Sequence, residues 1–278
     1  FGAERNVEAA KQYFIHEETG LRLPVPNSNH GRIVYNSMGF RSPDIPAEKP
    51  AGTVRLAFMG SSTTLDPFSL KLEETWPYQV VQRVAVSWSE CKVDYINGGV
   101  HGMGTTSINT YFTDIVSQDG LDAVIVLSND QNADLDAAVV SAGFHSGVHY
   151  EPSWLARNSL FWSKIEKNAQ VIQLQRSADM SAGKFQADPA ALTADYRERL
   201  RSVAASIQAA DALPVFLEVG GQLRRSQSRD AQVAAAETDL FYMPYMSIDG
   251  LLETGDAYNL AVRDVAAAEN LLAIGWEE

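Results

Sequence analysis

The stretch Val54-Arg55-Leu56-Ala57-Phe58-Met59-Gly60-Ser61-Ser62-Thr63-Thr64 constrains this chain more than any other. An apolar run stops at a glycine, and hydroxyl residues follow at once. The pattern predicts a buried strand, a sharp turn at Gly60 and a serine presented at the mouth of a sheet, where an α/β fold can hold a nucleophile. Taken alone, it equally describes a Gly-Ser turn that does no more than end a strand.

The apolar runs that follow set the architecture. Strands are expected at 54–59, 93–97, 122–128, 213–219 and 271–274, and helices at 75–86, 105–116, 160–176, 189–210 and 257–270. The helix at 189–210 is the clearest, with Leu192, Tyr196, Leu200, Val203, Ala204 and Ile207 along one stripe. Strands alternating with helices imply an α/β fold whose mostly parallel five-stranded sheet is joined by right-handed crossovers. Before it, a short helical start at 7–14 leads into a proline-rich stretch, so residues 1–50 are expected as an extended arm and 51–278 as the α/β domain. The segment 131–188 breaks the rhythm and carries Phe144, His145, His149, Tyr150, Trp154, Phe161 and Trp162. It is expected as a helical insertion, either a lid over the C-terminal edge of the sheet or an extension of the core.

Composition narrows the partners. The formal net charge is −13 over 278 residues. That argues against nucleic acid, whose phosphates need clustered Lys and Arg, and disfavours unassisted adsorption to an anionic membrane. Cys91 is the only cysteine, so no intrachain disulfide and no cysteine-based zinc site can form. No run of 18 apolar residues occurs, so no transmembrane helix is expected. The chain begins at Phe1 rather than Met, which leads to the expectation of a signal peptide or membrane tether upstream.

Three loops carry the chemistry, one after each of the first three strands, and the rule for open parallel sheets sends them to one crevice. The first is Gly60-Ser61-Ser62-Thr63 and the second Asn97-Gly98-Gly99-Val100-His101-Gly102-Met103-Gly104. The third is Leu127-Ser128-Asn129-Asp130, which brings a side-chain amide to a strand end. A hydroxyl, a glycine N–H and an amide on neighbouring loops are the parts of an oxyanion hole around a nucleophilic serine. Each loop alone has a plainer reading: a glycine-rich loop can bind phosphate, although Gly-x-x-x-x-Gly-Lys is absent, and Asn-Asp after a strand commonly caps a helix.

Taken jointly, the three blocks resemble those of the SGNH or GDSL-type hydrolases. Gly60-Ser61-Ser62 is similar to that family's Gly-Asp-Ser block, with Ser61 in place of Asp. Asn97–Gly102 resembles the second block, and Ser128-Asn129-Asp130 the end of the Gly-x-Asn-Asp block, with Leu127 in place of its glycine. Tyr35-Asn36-Ser37-Met38-Gly39-Phe40-Arg41 resembles a lead-in of exported or membrane-tethered bacterial members. The resemblance implies a flavodoxin-like three-layer α/β/α sandwich and an esterase or O-acyltransferase acting on a small ester or acylated carbohydrate, without cofactor or metal. It implies Ser62 as nucleophile, with Gly102 and Asn129 as oxyanion donors, and an extracytoplasmic setting.

One block is not in the sequence. The family carries Asp-x-x-His after its fifth strand, where the histidine takes the serine's proton, whereas the last histidine here is His149. The block is expected beyond Glu278. Two alternatives stay open: His101, His145 or His149 substitutes, or the crevice only binds, as part of a catalytically inactive subunit of a larger assembly. A flavin-type phosphate loop at Ser61–Thr64 is a weaker reading, against which the second and third blocks count. Glu73-Glu74 are expected at a helix start, Asp130, Asp134 and Asp136 in a solvated loop, and Arg224, Arg225 and Arg229 on a solvated surface.

Overall fold

The structure, a computed structural model, describes residues 12–30, 33–143, 152–177 and 184–275. Two short antiparallel pairs open it: β1 (Tyr13–Ile15) with β2 (Arg22–Pro24), and β3 (Asn29–His30) with β4 (Ile33–Val34). Phe14, expected at the end of a helix, is therefore in a strand, and its β-forming neighbours Tyr13 and Ile15 explain why. The rest of the expected helix at 7–14 lies almost wholly outside the described residues.

The main sheet is built from β5 (Thr53–Gly60), β6 (Lys92–Gly99), β7 (Ala123–Leu127), β8 (Leu213–Leu217) and β9 (Leu272–Ile274). All its pairs are parallel, in the order β6-β5-β7-β8-β9, so by chain order its strands run 2-1-3-4-5. This is the flavodoxin-like doubly wound order, which reverses direction at the first strand. Alternate residues of β5 serve opposite faces. Leu56 and Phe58, with Tyr95 of β6, pack on Val81 and Trp76 of helix α2 (Trp76–Ser87), which follows the single turn α1 (Ser62–Leu65). On the other face Met59 and Tyr111, the latter from α3 (Thr105–Asp114), close around Gly98. Helices on both faces give three layers.

At the N-terminal edge of the sheet, fully buried Arg55 grips Asp94 with two bonds of 2.9 Å and donates to the Pro46 carbonyl. Its own N–H meets Asp122 at 2.7 Å. A guanidinium without water needs each of these partners to offset its desolvation.

The chain divides into two compact units. The first takes the described residues up to Asn129, then Arg197–Val219 and those from Val262 onward, and holds the sheet. The second takes Asp130–Tyr196 and Gly220–Ala261. Its helices are α4 (Gln131–Ser141), α5 (Trp154–Asn158), α6 (Leu160–Ser177), α8 (Arg229–Ala235) and α9 (Glu237–Tyr242). Helices α7 (Pro189–Ala209) and α10 (Ile248–Ala268) each span a unit boundary in sequence. Leu135 and Val139 of α4 join Leu240, Met246, Ile248 and Leu251 in one core.

The insertion expected at 131–188 is helical over 131–141, 154–158 and 160–177, and it shares its core with 220–261, where the sequence reading put Arg224, Arg225 and Arg229 in a polar loop and began the helix at 257 rather than at Ile248. None of the three acids expected in a solvated loop is in one: Asp130 is buried directly before α4. Asp134 and Asp136 lie on α4, where they accept the hydroxyls of Tyr258 at 2.6 Å and Tyr245 at 2.7 Å. Arg225 pairs with Asp256 at 2.7 Å, and Arg229 opens α8 with a double bond to Asp249 at 2.8 and 3.1 Å.

Candidate active site

The parallel register decides what meets at the C-terminal edge. Gly60 stands abreast of Gly99 on one side and Leu127 on the other. The chain leaves these three neighbouring strand ends as Ser61-Ser62, as Val100-His101-Gly102 and as Ser128-Asn129. All three sequence-predicted site residues therefore lie in the first unit and in loops that spring from one level of the sheet. They stand where the strand order reverses, at the switch point of the fold.

The first loop is held from every side. Ser61 precedes α1, and Ser62 is its first residue, half-buried. Asn97, fully buried at the end of β6, donates its amide to the Thr64 carbonyl at 3.1 Å. Its amide oxygen takes the Gly99 N–H at 3.0 Å. Trp76 donates its indole N–H to the Thr63 carbonyl at 2.8 Å, and its backbone N–H goes to Asp66 at 3.1 Å. Asp66 ends α1 with a φ of 54°, a left-handed cap that aspartate tolerates.

Arg41 completes the clamp. Its guanidinium is buried and donates to the Leu65 carbonyl at 2.9 Å, to that of Asp66, and to that of Ser69 at 2.8 Å. The first two are carbonyls that the C-terminal end of a one-turn helix leaves without intrahelical donors, and the third belongs to the loop that follows. Burial lowers the Arg41 pKa against the opposing pull of Asp66, and an arginine stays charged even so. Asn97 was legible only as a letter of the second block and Arg41 only as a letter of the lead-in. Their work in pinning α1 was not. A lone arginine behind Phe40 in a proline-rich stretch is the signal that could have marked it.

Close packing adds to the constraint. A side chain at Gly99 would place its Cβ 2.2 Å from the Leu65 nitrogen, and at Gly60 one would lie 2.1 Å from the Thr64 hydroxyl. Both glycines are there because α1 sits directly on the strand ends.

The second loop is a turn closed by the Met103 N–H on the Val100 carbonyl at 3.3 Å. Gly102 occupies its third position with a φ of 77°, which glycine adopts freely. The turn's bond leaves the Gly102 N–H outside it. His101, the second residue of the turn, has its imidazole pKa lowered, first by partial burial and then by the Arg22 guanidinium. The ring is thereby held neutral at neutral pH.

In the third loop Ser128 is buried and shares a hydrogen bond with Thr105 at the start of α3. Asn129, between it and buried Asp130, is exposed. His145 and His149 lie outside the described residues. Among the described residues no group of three or more His, Cys, Asp or Glu stands close enough to hold a metal ion.

No protein-family model matches the chain, and neither does a curated protein sequence. Solved structures are similar at a distance. Axe2, an acetylxylan esterase from Geobacillus stearothermophilus, shares 13% identity at a TM-score of 0.44, over 80% of this chain and 75% of that one. The lipase/acylhydrolase from Enterococcus faecalis shares 13% identity at 0.42, over 80% and 75%. The psychrotrophic esterase EstA from Pseudoalteromonas sp. shares 10% at 0.40, over 80% and 76%. Likeness at this level is distant on both measures, and what these strand ends can do follows from their own geometry.

Proposed function

We propose that this chain is an ester-cleaving serine hydrolase or O-acyltransferase of the SGNH type, acting on a small ester or an acylated carbohydrate in an extracytoplasmic setting. The observation that carries the reading is the register that sets Gly60 between Gly99 and Leu127. It starts the serine turn, the Gly102 turn and the Asn129 loop from adjacent strands at one height.

In this reading the Ser62 hydroxyl attacks the acyl carbon. The N–H groups of Ser62 and Gly102 and the Asn129 side-chain amide receive the oxyanion, and a fixed donor of this kind contributes about 10²–10³ in rate. The immobility of α1 under Asn97, Trp76 and Arg41 supports it, because preformed geometry is what such a hole requires. The ester C–O bond breaks and the alcohol leaves carrying the proton taken from the serine; the acyl-enzyme on Ser62 then yields its acyl group to water, or to a sugar hydroxyl in the transferase form.

The serine also needs a proton acceptor. His101, on the neighbouring turn, is one candidate; the resemblance instead implies an Asp-x-x-His block in the full-length gene product. A second reading keeps the same crevice and has it bind an acylated sugar without turning it over.

Fluorophosphonate labelling read by intact mass separates these readings, with Ser62→Ala as control. Labelling of this chain that is lost in Ser62→Ala and in His101→Ala points to His101 as the acceptor. Labelling of the full-length product alone, lost in Ser62→Ala, places the acceptor outside this sequence. No labelling of either sinks the hydrolase reading in favour of binding. Ser62→Ala itself is expected to lower esterase turnover by about 10³ or more with the melting temperature unchanged.

A further inference from the structure

The charge of −13 predicts that this chain as a whole is repelled by an anionic surface, but the charge is unevenly spread. Residues 152–177, which form α5 and α6, carry Arg157, Lys164, Lys167 and Arg176 against one acid, Glu166. The four cations are exposed. The acid is half-buried and accepts the Ser153 N–H at 3.2 Å and the Ser153 hydroxyl.

The same segment inverts the usual pattern of a surface helix. From 160 to 170 the half-buried side chains of α6 are Ser163, Glu166 and Gln170, one polar stripe at helical spacing. Leu160, Phe161, Trp162 and Ile165 face outward, with Leu160 and Phe161 78% and 69% exposed, and Trp154 of α5 adds an indole that is 74% exposed. A monomer in water gains nothing by burying the polar stripe and wetting the aromatic one.

We propose that α5 and α6 form an interfacial surface that lies on anionic lipid. The aromatic and aliphatic side chains enter the boundary between headgroups and acyl chains, while the flanking Lys and Arg meet the phosphates. Charge complementarity selects this occupant over a second copy of the chain, which would set one basic patch against another. The segment lies on the membrane and does not cross it: among the described residues no helix is long and apolar enough to span. The inference is independent of the chemistry proposed at Ser62.

Vesicle co-sedimentation tests it, with phosphatidylcholine alone and phosphatidylcholine mixed with phosphatidylglycerol. The protein is expected to sediment with the mixed vesicles and not with the neutral ones. Phe161→Ser with Ile165→Ser should lower the bound fraction roughly tenfold or more, since each removes an exposed apolar side chain that insertion would bury. Lys164→Glu with Lys167→Glu should lower it several-fold, and added salt should do the same to the parent protein. Because these side chains are exposed, the melting temperature of both variants should match the parent's. No sedimentation with mixed vesicles, or sedimentation indifferent to both variants, overturns the proposal. So does a concentration-dependent dimer that Phe161→Ser with Ile165→Ser abolishes, which would assign the face to a second copy.

Discussion

At the strand ends of the first unit, backbone lies against backbone, whereas the second unit is tied together through side chains. Gly60 and Gly99 leave no room for an added carbon beside Thr64 and Leu65. In the helical unit, α4 is fastened to segments more than a hundred residues away by Tyr245 on Asp136, Tyr258 on Asp134 and Gln131 on Thr254. The first region is damaged by adding an atom as well as by removing a donor, and the second by taking a bond away. The first suits a site whose geometry must not drift; the second suits a surface that tolerates change.

Gly99→Ala should have the largest effect. Its Cβ meets the backbone of Leu65 and Thr64, which cannot swing aside as a side chain could. Urea unfolding is expected to show a loss of about 3 kcal/mol. Any folded protein that remains should react poorly with a fluorophosphonate, because α1 has moved. Full stability and labelling in this variant would break the contrast.

Arg41→Ala comes next. It leaves the Leu65, Asp66 and Ser69 carbonyls without their buried donor, at a cost of about 2–4 kcal/mol by the same unfolding measurement. Arg41→Lys should recover only part of this, because one ammonium cannot reproduce the planar fork.

The helical unit should respond more gently. Tyr245→Phe removes the hydroxyl that Asp136 accepts, and about 1 kcal/mol is expected. Burial, then the bond to Asp136, raises the Tyr245 pKa, so the phenol stays protonated and the loss should not vary across neutral and mildly alkaline pH. A loss as large as that of Gly99→Ala would show that the two units are equally taut.

Smallest is a pH effect at Asp249. The bond from Arg229 holds its carboxyl below the usual carboxylate range. The stability it adds is present above the ordinary carboxylate pKa and fades as pH falls through the lowered value. With the carboxylate 66% exposed, solvent screening keeps this to about 0.5 kcal/mol or less. Unfolding midpoints of the parent and of Asp249→Asn should therefore differ slightly at neutral pH and converge as pH falls through the lowered value.

The same contrast explains what could be read beforehand. Ala123–Leu127 could be read from an unbroken apolar run, because a strand inside a parallel sheet is covered on both faces and declares itself locally. The three loops were legible for a related reason, since glycine at a strand end marks close approach. The helical unit was not. Its core joins Leu135 to Leu251, and nothing local in 220–242 announces that Leu240 is a core residue. Nor did Asp134 and Asp136 reveal that tyrosines far along the chain would claim them. At the site the letters were visible and the mechanics were hidden: Ser62, Gly102 and Asn129 stood out by type, whereas the partners of Arg41 and Asn97 are carbonyls, which leave no trace in a sequence.

The grip of Arg41 on α1 has a consequence for where this protein can be cut. The proline-rich stretch before β5 has the look of a removable leader, and a protease or a truncation ending near Pro50 would leave every strand of the main sheet in place. It would also carry away the donor to the Leu65 and Asp66 carbonyls at the end of the serine turn and to the Ser69 carbonyl after it and, with Pro46, one of the acceptors that keep Arg55 satisfied. Such a trimmed protein would keep its sheet and lose its aim, so a nick in the arm could silence the serine without touching it.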